Sequence, residues 1–237
     1  MKLLVTRPEI DQQQTVQALK DLGVVAISSP LMDIVPLDFS LPVKDWQAVI
    51  VTSRNSLRLL DPADLEGLIH RPLFCVGSRT AQLARTLGFT DIRTHGQNSD
   101  ALIDMILESL HADNGPLLYL AGKFRAGRLQ DVLQTHAFEI SLLEVYEARA
   151  RNRLTEDAAN ALRERSLDGV LLYSERSCRL LLSLLEREEL AEFAKTIIYY
   201  CLSEAVAFPL RQLGYPLVVA KVANETSLLD CVRLSHN

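Results

Sequence analysis

A chain of 237 residues, 48% hydrophobic and 23% charged, with ten glycines and nine prolines, has room for one large or two modest globular domains and is neither disordered nor fibrous. Its net charge of -5 excludes a dedicated nucleic-acid binder, which would carry a basic excess or a clustered basic stripe. Cys75, Cys178, Cys201 and Cys231 are far apart and form no C-x-x-C pair, which excludes a zinc or redox motif and leaves reduced thiols as the expectation.

The opening MKLLVTRPEI has an apolar run too short for a signal-peptide core, and no stretch approaches the roughly 18 to 20 apolar residues of a membrane span. A cytoplasmic protein with no membrane partner is expected. From Lys2 the sequence KLLVTRPEIDQQQTVQALKDLGVVAISSPL reads as strand, loop, helix, glycine stop and strand. Val16, Leu19 and Leu22 fall at helical spacing, Gly23 stands where a helix end favours a left-handed residue, and VVAI resumes β character. Next come Trp46, read as packing at a domain edge, and AVIVTSRNSLRLL from Ala48, then LFCVGSRTAQLARTLGF. A second βαβ unit follows in LLYLAGKFRAGRLQDVLQTHAFEISLLEVY, with Leu129, Val132 and Leu133 as its helix stripe.

The last third repeats what came before. GVLLYSERSCRLLL starts 121 positions after AVIVTSRNSLRLL, and YYCLSEAVAFPLRQLGY matches LFCVGSRTAQLARTLGF with Cys201 on Cys75 and Gly214 on Gly88. Short apolar strands alternating with helices specify parallel sheets flanked by helices, because a parallel crossover must pass over a face of the sheet. The expected fold is α/β, with two similar parallel sheets of about four or five strands each. Two closures remain open at this point: a tandem division at the turn cluster Asp113-Asn114-Gly115-Pro116, or a first βαβ unit that joins the C-terminal third.

Ligands of parallel sheets bind at the carboxyl ends of the strands. Polar clusters lie at such ends: Thr6-Arg7-Pro8, Thr52-Ser53-Arg54-Asn55, Gly77-Ser78-Arg79-Thr80, Gly122-Lys123-Phe124-Arg125, Ser174-Glu175-Arg176-Ser177 and Ser203-Glu204. Hydroxyls and amides beside Arg or Lys suit carboxylate or phosphate recognition, whereas Ser, Thr and Asn in the same places also cap helices. GKFRAGR has the G-x-x-x-x-G frame of a Walker A loop, but Arg128-Leu129 replaces its Lys and Ser/Thr. No G-x-G-x-x-G follows a strand and no G-x-S-x-G marks a hydrolase elbow. His70, His95, His111, His136 and His236 form no metal-binding pattern and read as loop and helix-end residues, so no metal is expected. Tyr119 and Tyr173 read as core residues inside strands, and Tyr146 stands at a strand end before Arg149, Arg151 and Arg153.

Taken in order, VTRP, Pro30-Leu31, IVTSRNSL, FCVGSRTA, LLYLAG, LLEVYEA, VLLYSERS and YYCLSEAVA resemble uroporphyrinogen-III synthase over essentially the whole chain. The resemblance implies two α/β domains of flavodoxin-like topology joined by a two-strand linker. The first domain would be 1–36 with 149–237, the second 37–148, with linker strands near 31–38 and 142–149. The implied reaction cyclises the linear tetrapyrrole hydroxymethylbilane to uroporphyrinogen III, with loss of water and inversion of the last pyrrole and no cofactor. The resemblance also implies a monomer, with the upstream hydroxymethylbilane synthase as a candidate partner. Tyr146 falls on the family's tyrosine near the linker and is the expected catalytic residue. Thr52 and Ser53 fall on its hydroxyl pair and Ser174 on the serine of the matching loop. The loop at Ser203 departs from members that carry a threonine pair. With Arg7, Gly77, Ser78, Arg79, Gly122, Lys123, Arg125 and Ser203, these complete the expected substrate-binding set. The competing expectation is a two-lobed small-molecule sensor without catalysis.

Overall fold

The computed structural model describes residues 1–94, 99–125 and 127–236; His95, among the histidines considered above, lies outside them. The elements run β1 (Lys2–Val5), α1 (Glu9–Asp21), β2 (Val25–Ser28), β3 (Met32–Pro36), β4 (Ala48–Val51), α2 (Arg54–Arg58), α3 (Pro62–Glu66), β5 (Leu73–Cys75), α4 (Ser78–Thr86), β6 (Ile92–Thr94) and α5 (Ser99–Ser109). After a 3-10 turn at Ala112–Asn114 come β7 (Leu117–Gly122), α6 (Leu129–Thr135), β8 (Ile140–Ala150), α7 (Glu156–Arg163), β9 (Gly169–Leu172), α8 (Glu175–Arg187), α9 (Ala191–Ala194), β10 (Ile198–Cys201), α10 (Glu204–Gln212), β11 (Leu217–Val219) and α11 (Glu225–His236). The chain divides into two compact units: unit 1 is Met1–Asp33 with Arg149–Asn237, and unit 2 is Ile34–Ala148. The division falls inside β3 and inside β8.

Unit 1 is built on a five-stranded sheet in the order β2-β1-β9-β10-β11, every neighbour parallel. This is the flavodoxin-like doubly wound order. Alternate residues of each strand face opposite sides, and both sides are covered by helices. Leu4, Val170, Leu172, Tyr199 and Cys201 pack with α7, α8 and α10 residues on one face, while Leu3, Val5, Leu171 and Tyr200 pack with Leu19, Leu228 and Val232 on the other. A strand covered twice is apolar throughout, which is why VLL and LLV show no polar alternation. Gly23, in the left-handed region at φ +72, ends α1 as the sequence predicts: its N–H donates to Lys20 O and the Val24 N–H to Leu19 O.

The sheet is tightest at Gly169. A β-carbon there would sit 2.5 Å from the Ile198 carbonyl oxygen and 3.0 Å from the Tyr200 ring, so a backbone atom has to move before any side chain fits. We expect Gly169→Ala to lower the unfolding free energy by about 3 kcal/mol, the upper end of the usual cost of overpacking. Urea unfolding followed by circular dichroism checks this, and an unshifted midpoint would mean that β9 and β10 separate freely.

Unit 2 has the strand order β3-β8-β7-β4-β5-β6. The five strands from β8 to β6 are parallel. β3 joins antiparallel, as shown by the Leu37 N–H donating to Val145 O and the Arg151 N–H to Leu31 O. From β4 the chain winds outward through β5 to β6, then returns and winds the other way through β7 to β8. Val49, Val51, Leu118 and Leu120 line one face with Leu57, Leu68 and Ala84, and Ala48, Ile50, Phe74 and Tyr119 line the other with Leu102, Ile106 and Leu133. Trp46, expected at a domain edge, is buried in the first of these clusters. The cysteines are free thiols, and burial pushes Cys178 up to about 11 and Cys201 up to about 12, so neither is a ready nucleophile.

Candidate functional site

Parallel strands end on the same edge of their sheet, so sequence-distant loops that follow them become neighbours. In unit 1 this gathers Arg7 after β1, Ser174 after β9 and Ser203 after β10. In unit 2 it gathers Thr52 and Ser53 after β4, Gly77, Ser78 and Arg79 after β5, and Gly122, Lys123 and Arg125 at the end of β7. Tyr146 joins the second group because β8 pairs its position with Gly122, across an irregularity in register at Ala121/Gly122. Each unit thus collects its own subset of the predicted residues.

Two of the serines do what capping chemistry dictates. Ser53 accepts from the Asn55 N–H at the start of α2, and Ser174 accepts from the Ser177 N–H at the start of α8 while sharing a hydrogen bond with the Ser177 hydroxyl. Ser203 precedes α10 without a side-chain cap. Gly77 caps α4 at φ +79, a conformation that favours glycine, and the space where a β-carbon would stand is open; Ser78 and Arg79 follow it on exposed positions.

The Gly122 loop is held by polar contacts. Arg125 Nη1 donates to the Gly122 carbonyl at 3.0 Å and pairs with Glu144 at 2.6 Å, and the Lys123 N–H donates to Tyr146 O. Lys123 Nζ stands 3.7 Å from Glu147. Tyr146, 9% exposed, lays its ring over Gly122: a β-carbon at Gly122 would come within 2.6 Å of Cζ and 2.9 Å of the hydroxyl oxygen. The catalytic candidate is therefore seated by a glycine that leaves room for it.

Arg7 is more deeply engaged than its place in a loop suggests. Its guanidinium lies 4.2 Å over the Tyr173 ring, donates to Glu225 at 2.9 Å and to the Thr15 hydroxyl at 3.2 Å, and is 4.0 Å from Asp11. Glu225 Oε1 also accepts from the Tyr173 hydroxyl at 3.0 Å and from Thr15. Tyr173, read from the sequence as a strand core residue, instead lies one position beyond β9, and its hydroxyl belongs to this polar cluster. Burial, and then the neighbouring Glu225 charge, hold that hydroxyl well above the ordinary tyrosine pKa. Sequence reasoning missed Glu225, 218 positions from Arg7, because no local pattern links them. It also missed Tyr119, whose hydroxyl is 3.2 Å from Thr52.

Among the described residues, no three His, Cys, Asp or Glu side chains gather as a metal site, and no helix is long and apolar enough to cross a membrane. The family model described as uroporphyrinogen-III synthase HemD matches residues 13–230. The chain belongs to the uroporphyrinogen-III synthase family.

This family consists of enzymes of heme biosynthesis that act on a tetrapyrrole. A curated Archaeoglobus fulgidus chain provisionally named a uroporphyrinogen-III synthase is 24% identical over 216 residues, covering 90% of each chain. Among solved structures, uroporphyrinogen-III synthetase from Helicobacter pylori 26695 matches over 100% of both chains with a TM-score of 0.70 at 19% identity. A variant of uroporphyrinogen III synthase from the extremely thermophilic bacterium Thermus thermophilus also matches over 100% of both chains, with a TM-score of 0.59 at 14% identity. At these identities the structural likeness establishes the shared two-domain fold.

Proposed function

We propose that this chain is a hydro-lyase that closes hydroxymethylbilane into uroporphyrinogen III, and that its two units are the two domains of that enzyme, with β3 and β8 as the linker. The observation that carries the reading is the gathering of hydroxyl- and cation-bearing loops on the carboxyl edge of the unit 2 sheet, around a tyrosine seated on Gly122. A substrate with carboxylates on every ring calls for this kind of lining.

The chemistry asks for little beyond an acid and a pose. The terminal hydroxyl takes a proton from the Tyr146 phenol and departs as water, leaving an electrophilic azafulvenium carbon. The substituted carbon of the last pyrrole attacks it, forming a carbon–carbon bond and a spiro centre. The original bond from that spiro carbon to the bridge of the preceding ring then breaks, leaving a second azafulvenium carbon. The unsubstituted α-carbon of the turned ring attacks it, and the proton lost as the pyrrole regains aromaticity restores the phenol. No electrons are exchanged with a second reactant, so the balance is complete without a redox partner. Which carbon attacks first is decided by how the flexible chain is folded, and positioning of this kind removes a large part of a barrier.

Incubation with freshly generated hydroxymethylbilane, followed by separation of type I and type III isomers, is the test. The expected product is type III, and type I alone would overturn the proposal. Tyr146→Phe is expected to slow ring closure about 10²-fold, the lower end of what a positioned acid contributes, with the unfolding midpoint kept. An unchanged rate would remove Tyr146 from the mechanism.

A further inference from the structure

In an open α/β sheet the crevice for a ligand opens where consecutive strands wind away in opposite directions. In unit 2 that point lies between β4 and β7, and a pair of hydroxyls spans it: Thr52, just beyond β4, and Tyr119 on β7, 3.2 Å apart. The Tyr119 residue is 3% exposed and its ring packs among Ile50, Phe74 and Leu129, so its oxygen is the part that reaches polar surroundings. Tyr119 also lines a recess of about 380 Å³, walled by Lys123, Arg125, Arg128 and Gln130 and by one acid, Asp131; Thr52 stands beside this recess, joined to it through the Tyr119 hydroxyl. Tyr146 occupies the other face of the same strand end, with the Gly122-side cluster.

Unit 1 shows what such a pair binds. Its strands wind apart between β1 and β9, and near that point the hydroxyls of Tyr173, just beyond β9, and Thr15, on α1, 3.5 Å apart, both donate to the carboxylate oxygen of Glu225 that also accepts from Arg7. A tyrosine and a threonine hydroxyl beside a cation form, in this unit, a carboxylate receptor, and the chain supplies the carboxylate itself.

We propose that Tyr119 is a substrate-binding residue, and that its hydroxyl, coupled to that of Thr52 as one donor unit, holds a carboxylate arm of the tetrapyrrole at the edge of the unit 2 recess. Two hydroxyls carry two protons, and the bond between them uses one. The other is left for a third partner, whichever oxygen donates to its neighbour. Burial raises the Tyr119 pKa, so the group stays protonated and serves as a donor. The adjacent Arg125 and Lys123 face Glu144 and Glu147, which tempers their pull on anions in general and leaves orientation to the hydroxyl pair.

This inference rests on the synthase reading, and its test separates the two. Tyr119→Phe and Thr52→Val are each expected to raise KM for hydroxymethylbilane about tenfold, as loss of a hydrogen bond to a charged group does, with kcat little changed. Tyr146→Phe, by contrast, lowers kcat. Since the hydroxyls form one unit, the double variant should be no worse than the poorer single variant. The same ranking is expected for the Kd of uroporphyrin III, an octacarboxylate, read by quenching of the single tryptophan, Trp46. An unchanged KM and Kd in Tyr119→Phe, or effects that multiply in the double variant, would overturn the proposal, as would a wild-type protein that does not bind uroporphyrin III. Wild-type protein that binds the probe with this ranking yet yields no type III isomer would sink the synthase reading and leave the carboxylate site standing.

Discussion

Replacing Glu225 by alanine is expected to lower the unfolding free energy of unit 1 by about 3–5 kcal/mol, the cost of breaking a buried ion pair from one side. The side chains of Arg7 and Glu225 are 10% and 6% exposed, so water can restore little of what the guanidinium would lose. Tyr173 and Thr15 would lose their shared acceptor in the same step. Asp11, 4.0 Å from Arg7, remains in place but sits at the long end of ion-pair distance. Removing both charges with Arg7→Met and Glu225→Leu should cost less than Glu225→Ala alone, because it leaves no buried cation without its carboxylate. Urea unfolding of the three proteins decides this. A loss under about 1 kcal/mol in Glu225→Ala would place the pair with solvent-screened surface bridges.

That cluster marks the limit of what the sequence could disclose. The apolar runs KLLV, AVIV and GVLL announced parallel strands covered on both faces, and Gly23 announced a helix end, because those features are dictated within a few residues. Strand neighbours are not dictated locally. β1 pairs with β9 across the chain, Leu3 opposite Gly169, and neither periodicity nor the internal repeat distinguishes that pairing from a tandem one. Side chains that act across such pairings were hidden with them. Arg7 read as an open anion receptor, yet its charge is met by a carboxylate from the last helix. Tyr173 read as core because a hydroxyl's partner is invisible until α11 is in place. Ser53 and Ser174 are expected as substrate-binding residues, with capping as the alternative reading; the capping half is legible in the sequence, since a cap and its N–H lie within three residues of one another. Tyr119 was passed over for the reason opposite to Arg7: its ring is as buried as its strand predicts, and only the register of β7 on β4 brings its oxygen to Thr52.

Gly122→Ala is expected to depress ring closure as strongly as Tyr146→Phe, about 10²-fold, although the new methyl group carries no chemistry. Gly122 needs no unusual backbone conformation, so its requirement is space: the β-carbon position lies 2.6 Å from Tyr146 Cζ, 2.9 Å from Cε2 and 2.9 Å from the hydroxyl oxygen. At Gly122 the ladder to β4 has ended, at Leu120, and the strand is tied to β8 at Tyr146 itself, where the Lys123 N–H donates to Tyr146 O. The crowding is therefore relieved between Gly122 and the phenol, and it is the phenol's position that the proposed proton transfer uses. A displacement near 1 Å is enough to cost a positioned acid most of its effect. Overpacking should also lower stability by about 1–3 kcal/mol, which leaves a folded protein to assay. The decisive comparison is the double variant: with Tyr146→Phe already made, adding Gly122→Ala should cost little further rate, because the group it displaces no longer donates. Full turnover in Gly122→Ala, or independent losses that multiply in the double variant, would mean that the tyrosine acts from some other position or not at all.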